Sequence, residues 1–208
     1  MPEKTAQKEP GKKPAPSKKP KPQQEVVVQI SLSELHPFPD HPFQVREDAS
    51  MQETAESVKE YGVLVPALAR PREDGGYELI AGHRRKHACE LAGLATMPVI
   101  VRDIDRDAAT IIMVDSNLQR ENILPSERAK AYKMKREAIK RQGARTDLTS
   151  PKISAKFRSD DEVGQDAGVS GDTIRNYIAL TQLVPELQQM VDEKKIALSP
   201  AYQIAALT

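Results

Sequence analysis

Aromatic side chains and cysteine are scarce in this 208-residue sequence: it has no tryptophan, five tyrosines, three phenylalanines and one cysteine. The single cysteine, Cys89, excludes an intramolecular disulfide framework and is typical of a protein in a reducing cytosol. No run approaches the roughly 18 apolar residues of a transmembrane helix. No apolar segment precedes Val26, so the lysine-rich N-terminus is not a secretory signal. These absences predict a cytoplasmic protein without a membrane partner.

Charge is nearly balanced overall but unevenly distributed. The net charge is +1, whereas residues 1–24 hold seven lysines and two glutamates, a net charge of +5 that leaves −4 for the rest. Residues 12–24, KKPAPSKKPKPQQ, have no hydrophobic side chain larger than alanine, so we expect 1–24 to be a disordered tail. Such a tail acts as a solubilising extension, or as a tether for DNA or for an acidic partner protein.

Strands and helices alternate between residues 26 and 104, which predicts a small α/β unit. The segments EVVVQISLSEL, VLVPALAR, YELIA and MPVIVRDI are typical of strands. The proline-rich HPFPDHPFQVR is expected to be an ordered loop or extended segment. SMQETAESVKEYG predicts an amphipathic helix that Ser50 caps and Gly62 ends.

Only helices are predicted after residue 105. DRDAATIIMVDSNLQ forms one, and SERAKAYKMKREAIKRQG forms another that Pro125 and Ser126 open and Gly143 closes. ARTDLTSPKISAKFRS is expected to be a polar connector. Two short helices with a tight turn at Gly168 follow, and two more cover 185–194 and 199–207. The chain stops within an apolar helical pattern, which suggests that a further C-terminal domain is missing.

The sharpest local motif is GYELIAGHRRKHACELAGL, in which a strand turns at Gly82 into a helix with basic residues in its first turn. Free backbone N–H groups at such a junction attract anions. Arg84 and Arg85 suit phosphate, because a guanidinium can bind two oxygens at once. The alternative is that these arginines form surface ion pairs with Glu78 or Glu90.

Two further patterns lie nearby. His83 and His87 have the i, i+4 spacing of zinc-binding HExxH helices, but Arg84 replaces the glutamate and the neighbouring cations oppose a metal. The segment DSNLQREN places polar side chains at the end of an apolar helix. These side chains are Asn117, Gln119, Arg120 and Glu121. They could line a ligand cleft and supply oxygen ligands for Mg²⁺ and a charge for phosphate. The alternative is a solvated helix end.

The segment DEVGQDAGVSGDTIRNYIAL has the layout of a helix-turn-helix, with Ser170 at the start of its second helix. Ile174, Ile178 and Tyr177 would face inward. The side chains left for DNA are Thr173, Arg175 and Asn176. The preceding helix and connector add cations that can neutralise phosphates, including Lys152, Lys156 and Arg158. The alternative is a plain helical hairpin beside a solvated basic face.

Taken in order, six motifs resemble those of the ParB family of chromosome- and plasmid-partition proteins (ParB/Spo0J/Noc type), closest to those of Gram-positive bacteria. The motifs are HPFQVR, ESVKEYGVLVPALAR, GYELIAGHRRKHACELAGL, MPVIVRDI, NLQRENILPSERAKAY and the helix-turn-helix. The resemblance implies an α+β fold: a small α/β nucleotide-binding domain over 25–122, then an all-helical DNA-binding domain over 123–208 with its helix-turn-helix at about 160–180.

The resemblance also implies that the first domain binds CTP with Mg²⁺ as a clamp-closing switch. Gln44 and Arg46 match the first nucleotide motif. The family's phosphate-binding motif, the GERR box, corresponds to Gly82, His83, Arg84 and Arg85. A second family motif, the ENLQR box, corresponds to Ser116, Asn117, Gln119 and Arg120, and Asn117 would be a ligand of the metal. The second domain would read a palindromic centromere site on double-stranded DNA. Implied protein partners are a second copy of the chain and a ParA-type ATPase that engages the basic N-terminal tail.

Two positions depart from the family pattern, because His83 and Ser116 each replace a glutamate. Asp115 or Glu121 could supply the carboxylate that Ser116 lacks, and the pattern favours nucleotide binding over turnover. One rival is a DNA-binding regulator of the same fold without nucleotide switching. Another is a sulfiredoxin-like enzyme, which would need a reactive cysteine beside the basic box, whereas Cys89 lies about two helical turns beyond it.

Overall fold

The computed structural model describes residues 25–120, 122–146 and 153–207, so the tail predicted over 1–24 lies outside the described residues. The first part alternates strands and helices: β1 Val27–Ser31, β2 Leu35–Pro37, α1 Ala49–Tyr61, β3 Ala67–Pro71, β4 Tyr77–Ala81, α2 His83–Leu91, β5 Thr96–Val101 and α3 Arg106–Leu118. Helices follow: α4 Pro125–Thr146, α5 Ile153–Ala167, α6 Gly171–Ala179, α7 Pro185–Asp192 and α8 Leu198–Ala205. The predicted α+β class is confirmed.

The strands form one mixed sheet in the order β1-β5-β3-β4-β2. The β1–β5 and β3–β4 pairs are antiparallel, and the β3–β5 and β2–β4 pairs are parallel. Helices α1 and α2 pack against each other, and their buried Met51, Val58, Ala88 and Cys89 join a core with Leu79 of the sheet. The carboxyl end of β4 therefore leads directly into α2, where the basic residues begin.

Helix α4 connects the sheet to the C-terminal helices. Its Ala131 and Met134 pack in one cluster with Ile80 of β4 and Met113 of α3. Its Tyr132 packs instead with α5 and α6, and Ala129 with α7 and α8. The hydrophobic core is therefore continuous across the boundary predicted at residue 122.

Several predicted details were wrong. The cap of α1 is Asp48, whose side chain accepts from the Met51 N–H at 2.9 Å, and not Ser50. Gly143 does not end α4, which continues to Thr146, because Gln142 before it and Ala144 after it tolerate helical backbone. The predicted connector is helical from Ile153 onward.

The proline-rich segment, predicted to be an ordered loop or an extended segment, begins with a short strand. Its His36 and Pro37 belong to β2, which pairs in parallel with β4. Gly82, at φ 110°, and the turn residue Gly168, at φ 69°, are in the left-handed region that glycine adopts readily. In the described part of the chain, no helix combines the length and apolar character needed to cross a membrane.

Candidate functional site

A cleft of about 540 Å³ lies between the starts of α1, α2 and α4 and the end of α3. It brings together five of the residues predicted to bind the nucleotide, namely Gln44, Arg46, Arg84, Gln119 and Arg120. Three of the five carry guanidinium groups, and they come from three separate stretches of the chain. The remaining lining side chains include two carboxylates, Asp48 and Glu127.

The two arginines of the basic box have different roles in the structure. The Arg84 guanidinium reaches the start of α1, where Nη2 lies 3.5 Å from Asp48 Oδ1 and 3.3 Å from Ser50 Oγ. Arg85 turns away from the cleft, and its Nη1 donates to the carbonyls of Val65 and Pro66 at 2.6 Å each. Neither pairs with Glu78 or Glu90, so the surface ion pairs considered for them do not form.

Gly82 is required by the packing of this corner. A Cβ placed on it would lie 2.8 Å from the Ala67 Cβ, closer than carbon atoms approach, and its φ of 110° is unfavourable for other residues. Gly82 brings the first turn of α2 against β3. The backbone N–H groups of that turn therefore open beside the arginines, as an anion site requires.

Arg120 is a partly buried cation of the cleft with two arginines near it. Burial lowers the pKa of the Arg120 guanidinium, the positive charges of Arg84 and Arg85 lower it further, and Glu127 partly offsets them. Like charges gathered in a partly buried cleft are stabilised when an anion enters between them. The cleft therefore has the charge arrangement of a site for a polyanion.

Glu127 joins the cleft to the start of α4. Its Oε2 accepts from the Leu124 N–H at 3.1 Å, as the glutamate of a helix capping box does. Its Oε1 accepts from the Gln44 N–H at 3.1 Å and lies 3.7 Å from Arg46 Nη2. Glu127 is 7% exposed, so this carboxylate holds the Gln44 loop to α4.

The ENLQR-like segment is only partly in the cleft. Ser116 Oγ donates to the Met113 carbonyl at 3.0 Å, and Asn117 Nδ2 donates to the same carbonyl at 2.8 Å. Asn117 is 4% exposed. Asp115 accepts from Lys135 at 2.5 Å on the other side of α3, and Glu121 lies outside the described residues. Among the residues that are described, no cluster of three or more histidine, cysteine or acidic side chains could hold a metal.

His83 packs against His41. Their ring centroids are 4.0 Å apart, and His41 Nδ1 lies 2.7 Å from the Phe43 carbonyl. Burial is the main reason that the pKa of His83 falls to about 3, with His41, Arg120 and Lys86 contributing. Burial also lowers the pKa of His41. Both imidazoles are therefore neutral near pH 7, and the cleft receives no formal charge from them.

The second candidate site is α6, which begins after the turn predicted at Gly168. Ser170 caps the helix by accepting from the Thr173 N–H at 3.2 Å. Ile174 is fully buried and Ile178 nearly so, as predicted, whereas Asn176 is exposed. Arg175 pairs with Asp172 on the same helix and faces Asp160 of α5. Of the predicted phosphate contacts, Lys156 lies in α5 and Lys152 lies outside the described residues.

The sequence reasoning missed four residues around these sites: His41, Asp48, Glu127 and Asp192. Asp48 and Glu127 had a local signal, since each stands at the capping position of a helix start. Asp192 of α7 accepts from the Ser126 N–H at 2.9 Å and from its Oγ at 2.5 Å. His41 and Asp192 had no local signal, because their partners lie 42 and 66 positions away in the sequence.

Known chromosome-partitioning proteins resemble this chain over most of its length. The family model of the ParB N-terminal domain matches residues 16–118. The chromosome-partitioning protein Spo0J of Thermus thermophilus is 35% identical over 182 residues, 87% of this chain and 60% of that protein. Stage 0 sporulation protein J of Bacillus subtilis is 31% identical over 175 residues, 84% of this chain and 56% of that protein.

The chain belongs to the ParB family.

Solved ParB structures share its fold. The C-terminally truncated chromosome-partitioning protein ParB from Caulobacter crescentus, complexed to the centromeric parS site, superposes with a TM-score of 0.54 at 27% identity, covering 86% of this chain and 84% of that one. A Pnob8-like ParB-N domain, at 19% identity and a TM-score of 0.59, covers 88% of this chain and 80% of that one and shows the shared fold alone. This ParB-family chain spans between half and two thirds of the length of the two curated relatives.

Proposed function

We propose that this chain is a CTP-dependent, site-specific DNA-binding partition protein that closes as a clamp on DNA and supports chromosome or plasmid segregation. The observation that carries the nucleotide part is the cleft in which Arg46, Arg84 and Arg120 meet. Guanidinium groups bind phosphate oxygens bidentately, and the N-terminus of α2 adds backbone donors and the positive end of a helix dipole. Three guanidinium groups and a helix N-terminus together provide the donors and the positive charge that a triphosphate requires.

The choice of CTP among nucleotides comes from the family resemblance of the three boxes. Gln44 and Gln119 line the same cleft, and an amide side chain can donate to and accept from a nucleobase or ribose. We propose that these two glutamines bind the nucleobase or ribose while the arginines bind the phosphates.

Mg²⁺ would enter with the triphosphate, because it takes phosphate oxygens and water and needs only one or two protein ligands. Asn117 is the proposed protein ligand. Both hydrogen bonds of its side chain within the described part of the chain are donated by Nδ2, so Oδ1 is the atom that would face the ion. Ser116 Oγ, bonded to the Met113 carbonyl, supplies no carboxylate, which favours binding over hydrolysis.

The DNA part of the proposal is supported by α6. A helix with a buried apolar side and an exposed polar side, preceded by a tight turn, can enter a major groove. Thr173, Arg175 and Asn176 would meet base edges, and Ser170 would stand at the phosphates beside the start of the helix. The relative from Caulobacter crescentus is described as bound to the centromeric parS site, and we extend that class of ligand, a palindromic centromere-like duplex, to this chain.

A homodimer is part of the same proposal, since a palindromic duplex presents two equal half-sites and a clamp needs two copies. The further proposed partner is a ParA-type ATPase, engaged by residues 1–24.

Calorimetric titration of CTP and ATP in Mg²⁺ buffer, with and without duplex DNA selected by the chain from a random pool, tests the proposal. CTP binding that is tighter than ATP binding and that strengthens with the selected duplex supports it. If the protein binds the selected duplex but binds neither CTP nor ATP, the result would favour a DNA-binding regulator of the same fold without nucleotide switching. The sulfiredoxin-like alternative is disfavoured already, because Cys89 is fully buried and burial raises the pKa of its thiol.

A further inference from the structure

Arg175 is held by carboxylates of its own chain. Its Nη2 donates to Asp172 Oδ1, three residues earlier on α6, and its Nη1 lies 3.7 Å from Asp160 Oδ2 on α5. The Arg175 side chain is 38% exposed, so the guanidinium still reaches solvent. Two acids therefore contact the arginine, one from its own helix and one from α5.

The two acids differ in how easily DNA could replace them. The Asp172 side chain is 80% exposed, and an exposed ion pair within one helical turn contributes little to stability. The Asp160 side chain is 1% exposed and also lies 3.6 Å from Arg136 Nη1 of α4. Asp160 is therefore part of the packing between α4, α5 and α6, whereas Asp172 is a ligand of Arg175 that a phosphate or a base edge can displace.

We infer that Asp172 is a specificity-determining residue that keeps Arg175 from the phosphates of random DNA. The inference rests on the proposed DNA-binding function. Binding to random duplex depends on cations that neutralise phosphates, and Asp172 both occupies Arg175 and places a negative charge beside the backbone. At a site where a guanine lies in reach, Arg175 can donate to O6 and N7, and this contact compensates for the loss of Asp172.

The test compares Asp172→Asn with the wild type on two duplexes of equal length: one selected by the wild type from a random pool, and a scrambled version. On the scrambled duplex, affinity should rise about three- to tenfold near 0.1 M salt, and the slope of log affinity against log salt should steepen by about 0.9, the value of one added phosphate contact. On the selected duplex the gain should be smaller, so the ratio of the two affinities falls.

Two variants control for charge alone. Asp172→Glu keeps an acid within reach of Arg175 and should keep the wild-type affinities. Glu162→Gln removes a charge from an exposed position of α5 that has no ion pair in the described part of the chain, and it should leave the salt slope unchanged. If Asp172→Asn disturbs the fold in thermal unfolding, Asp172→Ser removes the same charge and keeps a polar residue in the first turn of α6.

An Arg175→Ala background decides whether Asp172 acts through Arg175. In that background Asp172→Asn should leave the salt slope of the scrambled duplex unchanged. A steepening that persists there, or one that Glu162→Gln reproduces, overturns the inference. Failure of the wild type to select any sequence would instead overturn site-specific recognition, while a random duplex of the same length would still report on Asp172.

Discussion

Two adjacent arginines, Arg84 and Arg85, show how far neighbours in sequence can differ in role. The Arg84 side chain lines the cleft and is 27% exposed, with Asp48 as a half-exposed partner. Arg85 donates to two backbone carbonyls, and burial lowers its pKa. Arg84 is therefore available to a ligand, whereas Arg85 holds the segment before β3 in place.

We predict that Arg84→Ala weakens CTP binding by about tenfold or more while the fold remains intact. A lost charge-assisted contact to phosphate costs about 1.5–3 kcal/mol, whereas the exposed pair with Asp48 contributes at most about 1 kcal/mol to stability. Calorimetry and thermal unfolding measure the two effects. Arg72→Ala, which removes a cation paired with Asp74 in the β3–β4 turn, is the matched control and should bind CTP normally. A folded Arg84→Ala protein with unchanged affinity would refute the assignment.

We predict that His83 makes the fold less stable in mild acid. The unfolded chain takes up a proton at His83 near its usual pKa of 6.5, whereas the folded chain does so only at about 3. Between these values the unfolded state binds more protons, so stability falls as pH falls, by at most about 1.4 kcal/mol per pH unit. Urea unfolding at pH 7.5 and 5.5 should show a smaller loss for His83→Gln than for the wild type. Equal losses in the two proteins would contradict this account.

At the scale of elements, local chemistry predicted most of the helices and strands and failed where distant contacts decide. Gly82 and Gly168 turn the chain where their sequence context indicates. The sequence predicted only a loop or extended segment at His36 and Pro37, because these residues join strand β2 only by pairing with β4. Gly143 was misassigned because a glycine weakens a helix by only about 1 kcal/mol, which the packing of α4 overcomes.

About half of the candidate site was predictable from local motifs, namely five of the eleven residues that line the cleft. Arg84 and Arg120 belong to recognisable motifs, whereas the contact of His83 with His41 depends on the fold that brings two distant segments together. The link from Glu127 to the Gln44 N–H spans 83 positions, and no local pattern reports it.

Three helices meet at the fully buried side chain of Lys135 on α4. Its Nζ donates to Asp115 of α3 at 2.5 Å and to Asp166 of α5 at 2.7 Å. The cleft of about 600 Å³ beside it is lined by both acids and by Gln119, which also lines the arginine cleft. Lys135 thus joins the end of the candidate nucleotide site to the helix before α6.

We predict that Lys135→Met lowers the free energy of unfolding by about 3 kcal/mol. Removing one partner of a buried ion pair costs about 3–5 kcal/mol, and the lower end applies because the side chains of Asp115 and Asp166 are 44% and 52% exposed. Urea unfolding followed by circular dichroism measures the change. Lys133→Met on the same helix, at a position without an ion pair in the described residues, should change stability by less than about 0.5 kcal/mol. Similar losses for the two variants would refute the role of Lys135.

At the scale of the whole molecule, charge is segregated: residues 1–24 carry +5 and the rest −4. We predict that deleting 1–24 leaves CTP binding and site-specific DNA binding intact but removes stimulation of a cognate ParA-type ATPase. The reason is that a cation from an extended lysine- and proline-rich segment can stabilise charge on a transferring phosphoryl group. The candidate side chains are Lys12, Lys13, Lys18, Lys19 and Lys21.

An ATPase assay with the truncated protein measures this effect. Full stimulation by the truncated protein would refute the proposed contact. Reduced affinity for random DNA, with stimulation unchanged, would instead identify the tail as a nonspecific tether.

Side chains of helix α4 pack with the sheet unit on one face and with α5 to α8 on the others. This packing limits how segments can be exchanged between related proteins to make hybrids. A hybrid joined at residue 122 would pair one parent's α3 with another parent's Ala131 and Met134, while a junction after Thr146 would mismatch Tyr132 against a foreign α6. Neither crossover point leaves a complete core. Giving this chain a relative's DNA preference therefore calls for recoding the outward positions of α6 within the parental framework rather than exchanging segments.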